Sequence, residues 1–227
     1  MKLNDFFEKI FCVNLDRRTD RWAECQEIFK KHELNVERIS AVDGSALAFP
    51  LSNNVDENGY VHPPHINGVN IGAIGCSMSH LYIARYAKQT NLRNYLVLED
   101  DVDFISELNP IFDMISNQIP QDWDLLYLGG NHFSGKPTKY TEHLYKLNWT
   151  VTSHSIGVNS SIYDRLIEKL MKIARPVDCN YAELLKETNS YVTNPHLAWQ
   201  RHGYSDVQAS VQGYDFLQNF YTAQSNV

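Results

Sequence analysis

The stretch Asn94-Tyr95-Leu96-Val97-Leu98-Glu99-Asp100-Asp101-Val102-Asp103-Phe104 constrains this chain more than any other. Its apolar run, Tyr95 to Leu98, is long enough for a buried strand and too short for a helix. The run ends abruptly in Glu99, Asp100 and Asp101, with Asp103 close behind. Four carboxylates within five positions repel one another, so crowding them at the end of a buried strand costs stability. A bound cation is the usual compensation, because hard divalent ions take carboxylate oxygens and cancel the excess charge. Ligands also bind at the carboxyl ends of strands in open α/β sheets. The competing explanation is an acidic turn capping a following helix, with Asp103 or Ser106 as N-cap. The crowding favours the cation.

A chain of 227 residues suits one domain spanning 1–227, large enough to bury most of its apolar surface without staples. The net charge of −7 argues against nucleic acid as a partner, since neutralising phosphates needs a basic face. A small phosphorylated ligand held by a few arginines remains compatible with it. Asp5 and Glu8 stand where a signal peptide would be apolar, and no stretch approaches the roughly 18 apolar residues of a membrane span. Cys12, Cys25, Cys76 and Cys179 follow no CxxC or other metal spacing, so free thiols in a reducing compartment are expected. The sequons at Asn148 and Asn159 then count as chance matches, and a cytoplasmic location is expected.

Taken in order, Ile10 to Leu15 predicts a first strand covered on both faces. A polar turn with Arg17, Arg18 and Arg21 leads into a helix from about Trp22 to His32, capped by Thr19 or Asp20. Strand, polar loop and helix open an α/β nucleotide-binding unit, and three arginines beside a helix start suit a phosphate. Asn35 to Val42 predicts a second strand, closed by Asp43-Gly44; an acid there can meet a ribose hydroxyl or simply make a turn. The segment from Pro50 to Asn70 shows no periodicity, and its two histidines, His62 and His65, lack a third metal ligand. Gly72 to His80 opens a helix whose stripe of Ile74, Met78, Leu81 and Arg85 is expected to face the core. Further helices are expected at 110–118, 161–174 and 181–187, and strands at 123–128, 155–159 and 191–193. Residues 131–148 read as a loop, and Asp178 as part of an exposed turn.

Several of these pieces resemble glycosyltransferase family 25, which includes bacterial lipooligosaccharide and collagen galactosyltransferases. The resemblance rests on Val13-Asn14-Leu15-Asp16-Arg17-Arg18-Thr19-Asp20-Arg21-Trp22, Ala41-Val42-Asp43-Gly44 and Gly75-Cys76-Ser77-Met78-Ser79-His80. Leu98-Glu99-Asp100-Asp101-Val102, Pro176-Val177-Asp178 and Ser205-Asp206-Val207 complete it, in the family's order, over about residues 9–210. The chain departs from the pattern at Ala73, where a glutamate is expected.

The resemblance implies an α/β, GT-A-like nucleotide-diphospho-sugar transferase fold with a mostly parallel central sheet. It implies a UDP-sugar donor, with galactose as the hexose, inversion at the anomeric carbon, and a glycan or lipid-linked glycan acceptor. Mn²⁺ or Mg²⁺ held by Asp101 would neutralise the departing diphosphate, with Asp103 as a second metal candidate and His202 or Asp206 as the C-terminal ligand. Asp178 is the expected general base. Asn14, Leu15, Arg17, Arg21, Asp43, Glu99 and Asp100 are expected around the nucleotide. A nucleotidyltransferase or hydrolase using the same acidic strand end, and a non-catalytic sugar-binding relative, are the alternatives.

Overall fold

The strand Lys9–Asn14 forms where Ile10, Phe11, Cys12 and Val13 are apolar in succession, and all four are buried. A strand without a polar face belongs inside a covered sheet. It pairs in parallel with Val36–Ser40 on one side and with Asn94–Glu99 on the other. The structure is a computed structural model and describes residues 1–47, 65–66, 69–133, 135–173, 175–208 and 210–220. Most of the aperiodic 50–70 segment, with His62, lies outside them, as does the side chain of His65.

The main sheet has eight strands in the order Val36–Ser40, Lys9–Asn14, Asn94–Glu99, Ser155–Asn159, Leu125–Tyr127, Ser190–Thr193, Leu144–Lys146 and Thr138–Lys139. Ser155–Asn159 and Leu144–Lys146 run against their neighbours on both sides, and the other strands share one direction. The protein is therefore α/β with a mixed, mostly parallel sheet, as expected. The last two strands lie inside the expected 131–148 loop, where they extend the sheet edge.

Alternation along the strands builds two apolar layers. Phe11, Val13, Tyr95 and Val97 point to one side, and meet Ile83 and Ala84 of the helix Ile71–Gln89 and Leu166 and Leu170 of the helix Tyr163–Met171. Ile10, Cys12, Leu96 and Leu98 point to the other, against Cys25 and Phe29 of the helix Thr19–Lys31 and Phe112 and Ile115 of the helix Leu108–Ser116. The buried stripe of Ile71–Gln89 runs through Ile74, Ser77, His80, Ile83, Ala84 and Ala87. Met78 and Leu81 are only partly buried and Arg85 is exposed, so the helix is turned by about one residue from the expected face. Small side chains on the inner face let it lie close to the sheet. No helix among the described residues is long and apolar enough to cross a membrane.

Two differences matter for the site. The chain turns at Asp100–Asp101 instead of continuing straight, and Val102–Phe104 pairs antiparallel with Ala198–Gln200 in a second, two-stranded sheet. Thr193 thus does not end the last strand. The helix Val177–Leu184 begins four residues earlier than expected, because Pro176, with φ −53°, suits the position before a first helical turn. Asp178 therefore sits within that first turn.

The Asp43-Gly44 turn docks on the start of Ile71–Gln89 through bare backbone. A Cβ on Gly75 would lie 2.4 Å from Val42 O and 2.7 Å from Gly44 N. Ser79 fastens the same junction: its Oγ accepts from Val42 N at 2.9 Å and donates to Gly75 O at 2.8 Å. Replacing Gly75 with Ala must separate two backbones and is expected to cost about 1–3 kcal/mol in urea unfolding. Gly203→Ala, where a Cβ meets nothing within 4 Å, is the control and is expected to stay within about 0.5 kcal/mol of the parent.

Candidate active site

The ends of the first strand and the acidic strand are tied by Asn14 and Asp100. Asn14 Nδ2 donates to Asp100 Oδ2 at 2.7 Å and to Arg18 O at 3.1 Å, and Asn14 Oδ1 accepts from Arg38 Nε at 2.9 Å. Arg21 Nη1 donates to Asp100 Oδ1 at 2.5 Å, while its Nη2 reaches Tyr204 O at 2.6 Å. The Asp100 carbonyl accepts from Arg201 Nη2 at 2.8 Å and from Cys25 Sγ at 3.2 Å. Asn14 and Asp100 thus spend their polar atoms holding the turn. Asn14 does not line the cleft, which corrects its expected place at the nucleotide.

That turn forms one wall of a cleft of about 540 Å³. Leu15, Arg17, Arg21, Asp43, Glu99, Asp100, Asp101, Asp178 and Asp206 all line it. They come from five separate segments of sequence, gathered where the strand ends meet the start of Ile71–Gln89. Asp103 and His202 are not among its lining. Asp103 lies opposite Trp199 in the small sheet, with its Oδ1 taken by Phe104 N at 2.8 Å. The turn at Asp100–Asp101 resets the strand alternation that had put Asp103 on the face of Asp101. His202 is exposed past the end of Ala198–Gln200. Asp206 is in the cleft, but its two oxygens meet Arg17 Nη1 at 3.1 Å and Arg18 Nη1 at 2.5 Å. It balances the arginine cluster instead of joining Asp101.

Asp101 is left differently from its neighbours. Its Oδ2 accepts from Gln200 Nε2 at 3.3 Å and lies 4.0 Å from Arg21 Nη1. Its Oδ1 is buried and has no hydrogen-bond partner among the described residues, and the same holds for Gln200 Oε1. Burial holds the Asp101 carboxyl above the usual carboxylate range, with Arg21 opposing and the Asp100 charge adding to the rise. Glu99 is raised too, first by burial and then by the Asp101 charge. Its Oε1 accepts from Ser153 Oγ at 2.5 Å.

Across the cleft, Asp178 Oδ1 accepts from Cys179 N at 2.8 Å and Oδ2 from Thr152 N at 3.3 Å, so both oxygens are oriented by backbone. Asp43 caps the short 3₁₀ turn Gly44–Ala46, and the Ser45 hydroxyl bond, helped by Ser45 N and Arg17, lowers its pKa. Arg17 Nε lies 3.3 Å from Asp43 Oδ2. Ala73 also lines the cleft and is 2% exposed, packed with Val69 and Ile74. Gln200, Ser153, Thr152, Cys76 and Tyr214 reach the cleft although sequence reasoning passed over them. Two of them had a signal nearby: Cys76 lies within the motif Gly75 to His80, and Gln200 stands two positions before His202.

The pattern of glycosyltransferase family 25, described as LPS biosynthesis protein, matches residues 7–194. A glycosyltransferase 25 family member of Anopheles gambiae is 28% identical over 212 residues, covering 85% of this chain and 33% of that protein. Procollagen galactosyltransferase 2 of Homo sapiens is 32% identical over 129 residues, 54% of this chain and 21% of that protein. The inactive glycosyltransferase 25 family member 3 of Homo sapiens is 30% identical over 129 residues, 54% of this chain and 22% of that protein. This chain therefore spans a third or less of the length of these curated relatives. With its motifs gathered round one cleft and the family pattern covering most of its length, the chain belongs to glycosyltransferase family 25.

Proposed function

We propose that this cleft transfers a hexosyl group from a nucleotide sugar to a hydroxyl, with a divalent cation on Asp101 and inversion at the anomeric carbon. One observation carries the reading: Asp101 Oδ1 and Gln200 Oε1 are both buried beside the cleft without partners among the described residues. Each such atom costs about 1–3 kcal/mol if left unbonded. An all-oxygen pair suits Mg²⁺ or Mn²⁺. When bound, that ion supplies positive charge for the diphosphate that leaves with the nucleotide.

The protein's own groups divide the remaining work. Leu15, Arg17 and Asp43 line the side that would take the nucleotide, and Asp43, held below the usual carboxylate range, is equipped to accept from a ribose hydroxyl. Arg21 is fastened by Asp100 and Tyr204 O, which keeps the acidic turn in shape. Asp178, with its oxygens set by Thr152 N and Cys179 N, is the general base that takes the acceptor hydroxyl's proton as the new bond forms. Direct displacement needs this base on the face of the sugar opposite the diphosphate. The names of the galactosyltransferase relatives support galactose as the transferred hexose, and the donor we propose is UDP-galactose. The family's description as LPS biosynthesis protein supports a glycan or lipid-linked glycan acceptor.

Asp101→Asn is expected to abolish transfer while circular dichroism stays unchanged, and EDTA is expected to do the same to the parent protein. A full rate in EDTA overturns the metal. Asp178→Asn is expected to lower kcat by about 10²–10⁴-fold with little change in donor binding. Equal activity dismisses Asp178 as base. Release of free sugar or pyrophosphate without an acceptor would indicate a hydrolase or nucleotidyltransferase instead.

A stability test follows from the raised Asp101 carboxyl. A group whose folded pKa exceeds its unfolded value destabilises the native state as pH rises through the folded value. In EDTA, Asp101→Asn is therefore expected to raise Tm at pH 7.5, and the gain is expected to vanish near about pH 4, where the unfolded carboxyl also binds its proton. Adding Mn²⁺ is expected to stabilise the parent and not the variant.

A further inference from the structure

We propose that Cys76, His80 and Glu99 form a second metal site, suited to a zinc-like dication and separate from the oxygen pair at Asp101. Cys76 and His80 lie one helical turn apart on Ile71–Gln89, so their side chains stand one above the other on one face. Glu99, the last residue of its strand, meets them from the sheet. One ligand atom from each of the three residues lies within 4.8 Å of the others. Tetrahedral ligands at about 2.0–2.3 Å from zinc are about 3.3–3.8 Å apart, so closing on an ion takes movements of about an ångström.

The second observation is the state of His80. It is wholly buried, and its Nε2 has no hydrogen-bond partner among the described residues. That nitrogen points at Glu99 Oε1 across 3.8 Å, too far for a hydrogen bond. The other ring nitrogen, Nδ1, lies 3.2 Å from Tyr181 Oη. In the tautomer whose Nδ1–H donates to Tyr181, the Nε2 lone pair faces the carboxylate oxygen at 3.8 Å, and two electron-rich groups confront each other. A cation resolves that confrontation. A partner on the far nitrogen is also what orients a metal-bound histidine. Ser153 Oγ donates at 2.5 Å to Glu99 Oε1, the oxygen that faces His80, and so holds that carboxylate in place.

The donor set decides the class of ion. Thiolate, imidazole and carboxylate together suit zinc and its neighbours, whereas Mg²⁺ and Mn²⁺ prefer oxygen alone. Cys76 and Glu99 both line the cleft, so an ion can enter from it. On binding, the Cys76 thiol gives up its proton to solvent as the sulfur–metal bond forms. The proposal also gives Cys76 and His80 a joint role in the motif Gly75 to His80, in which Gly75 and Ser79 serve the helix junction. It does not depend on the transferase reading.

Cobalt(II) tests it in the chelator-stripped full chain. The expected result is a thiolate-to-cobalt charge-transfer band in the near ultraviolet with strong tetrahedral visible bands, both removed by zinc. Cys76→Ser is expected to abolish the charge-transfer band, and His80→Ala to weaken zinc binding by more than about tenfold. Asp101→Asn is expected to leave the band in place, which separates this site from the one proposed for the donor's cation. No charge-transfer band in the folded parent, or one that survives Cys76→Ser, overturns the proposal. Circular dichroism confirms that each variant is folded, and Cys76→Ala replaces any serine variant that is not.

Discussion

The hydrogen bond from Asn14 to Asp100 joins the ends of two adjacent parallel strands, and the geometry of the cleft depends on it. Asp100 is nearly buried, so its charge must be met inside the protein. Asn14 and Arg21 meet one oxygen each, and Arg201 takes the carbonyl. Once Asp100 is spoken for on every side, the chain has to turn there, and the turn delivers Asp101 to the cleft with one oxygen unbonded. Neighbouring acids in one run thus end in opposite conditions, because one is satisfied by protein and the other is not.

The same economy appears at the opposite wall. Gly44 and Gly75 allow two backbones to touch, which brings the turn carrying Asp43 against the start of the helix carrying Cys76 and His80. The acidic strand then lies between two different sets of donors. On one side Asp101 and Gln200 offer hard oxygen atoms; on the other Glu99 shares its neighbourhood with sulfur and imidazole. Glu99 is common to the cleft and to the second set, so an ion held with Cys76 and His80 would fix the position of a carboxylate that the cleft also uses.

Much of this was legible from residue pattern. Ile10 to Val13 and Tyr95 to Leu98 announce buried strands because continuous apolar runs have nowhere else to go, and both occupy the middle of the sheet. Arg17, Arg21, Asp43, Asp101 and Asp178 could be expected to share one cleft, because charged groups at strand ends and helix starts gather at the same edge of an α/β sheet. Asp103, His202 and Asn14 are not among the residues that line the cleft. Asp103 was expected in the cleft only if its strand continued, whereas Asn14 and His202 were expected there from the family resemblance. Val102–Phe104 instead left the sheet for a long-range partner some 95 positions away, and Asn14 was consumed by contacts with Asp100, Arg18 and Arg38.

By itself the amino-acid sequence determined the α/β class, the family and the acidic strand end, because these follow from short-range periodicity and local charge crowding. Only the tertiary structure decided which acids are neutralised by arginine and which are left open. It also decided that Gln200 stands beside Asp101 in place of His202, and that His80 faces Glu99 with an unpartnered nitrogen. Those outcomes depend on which distant side chains arrive within hydrogen-bonding distance, and a distance of about 3 Å is set by packing, not by position along the chain.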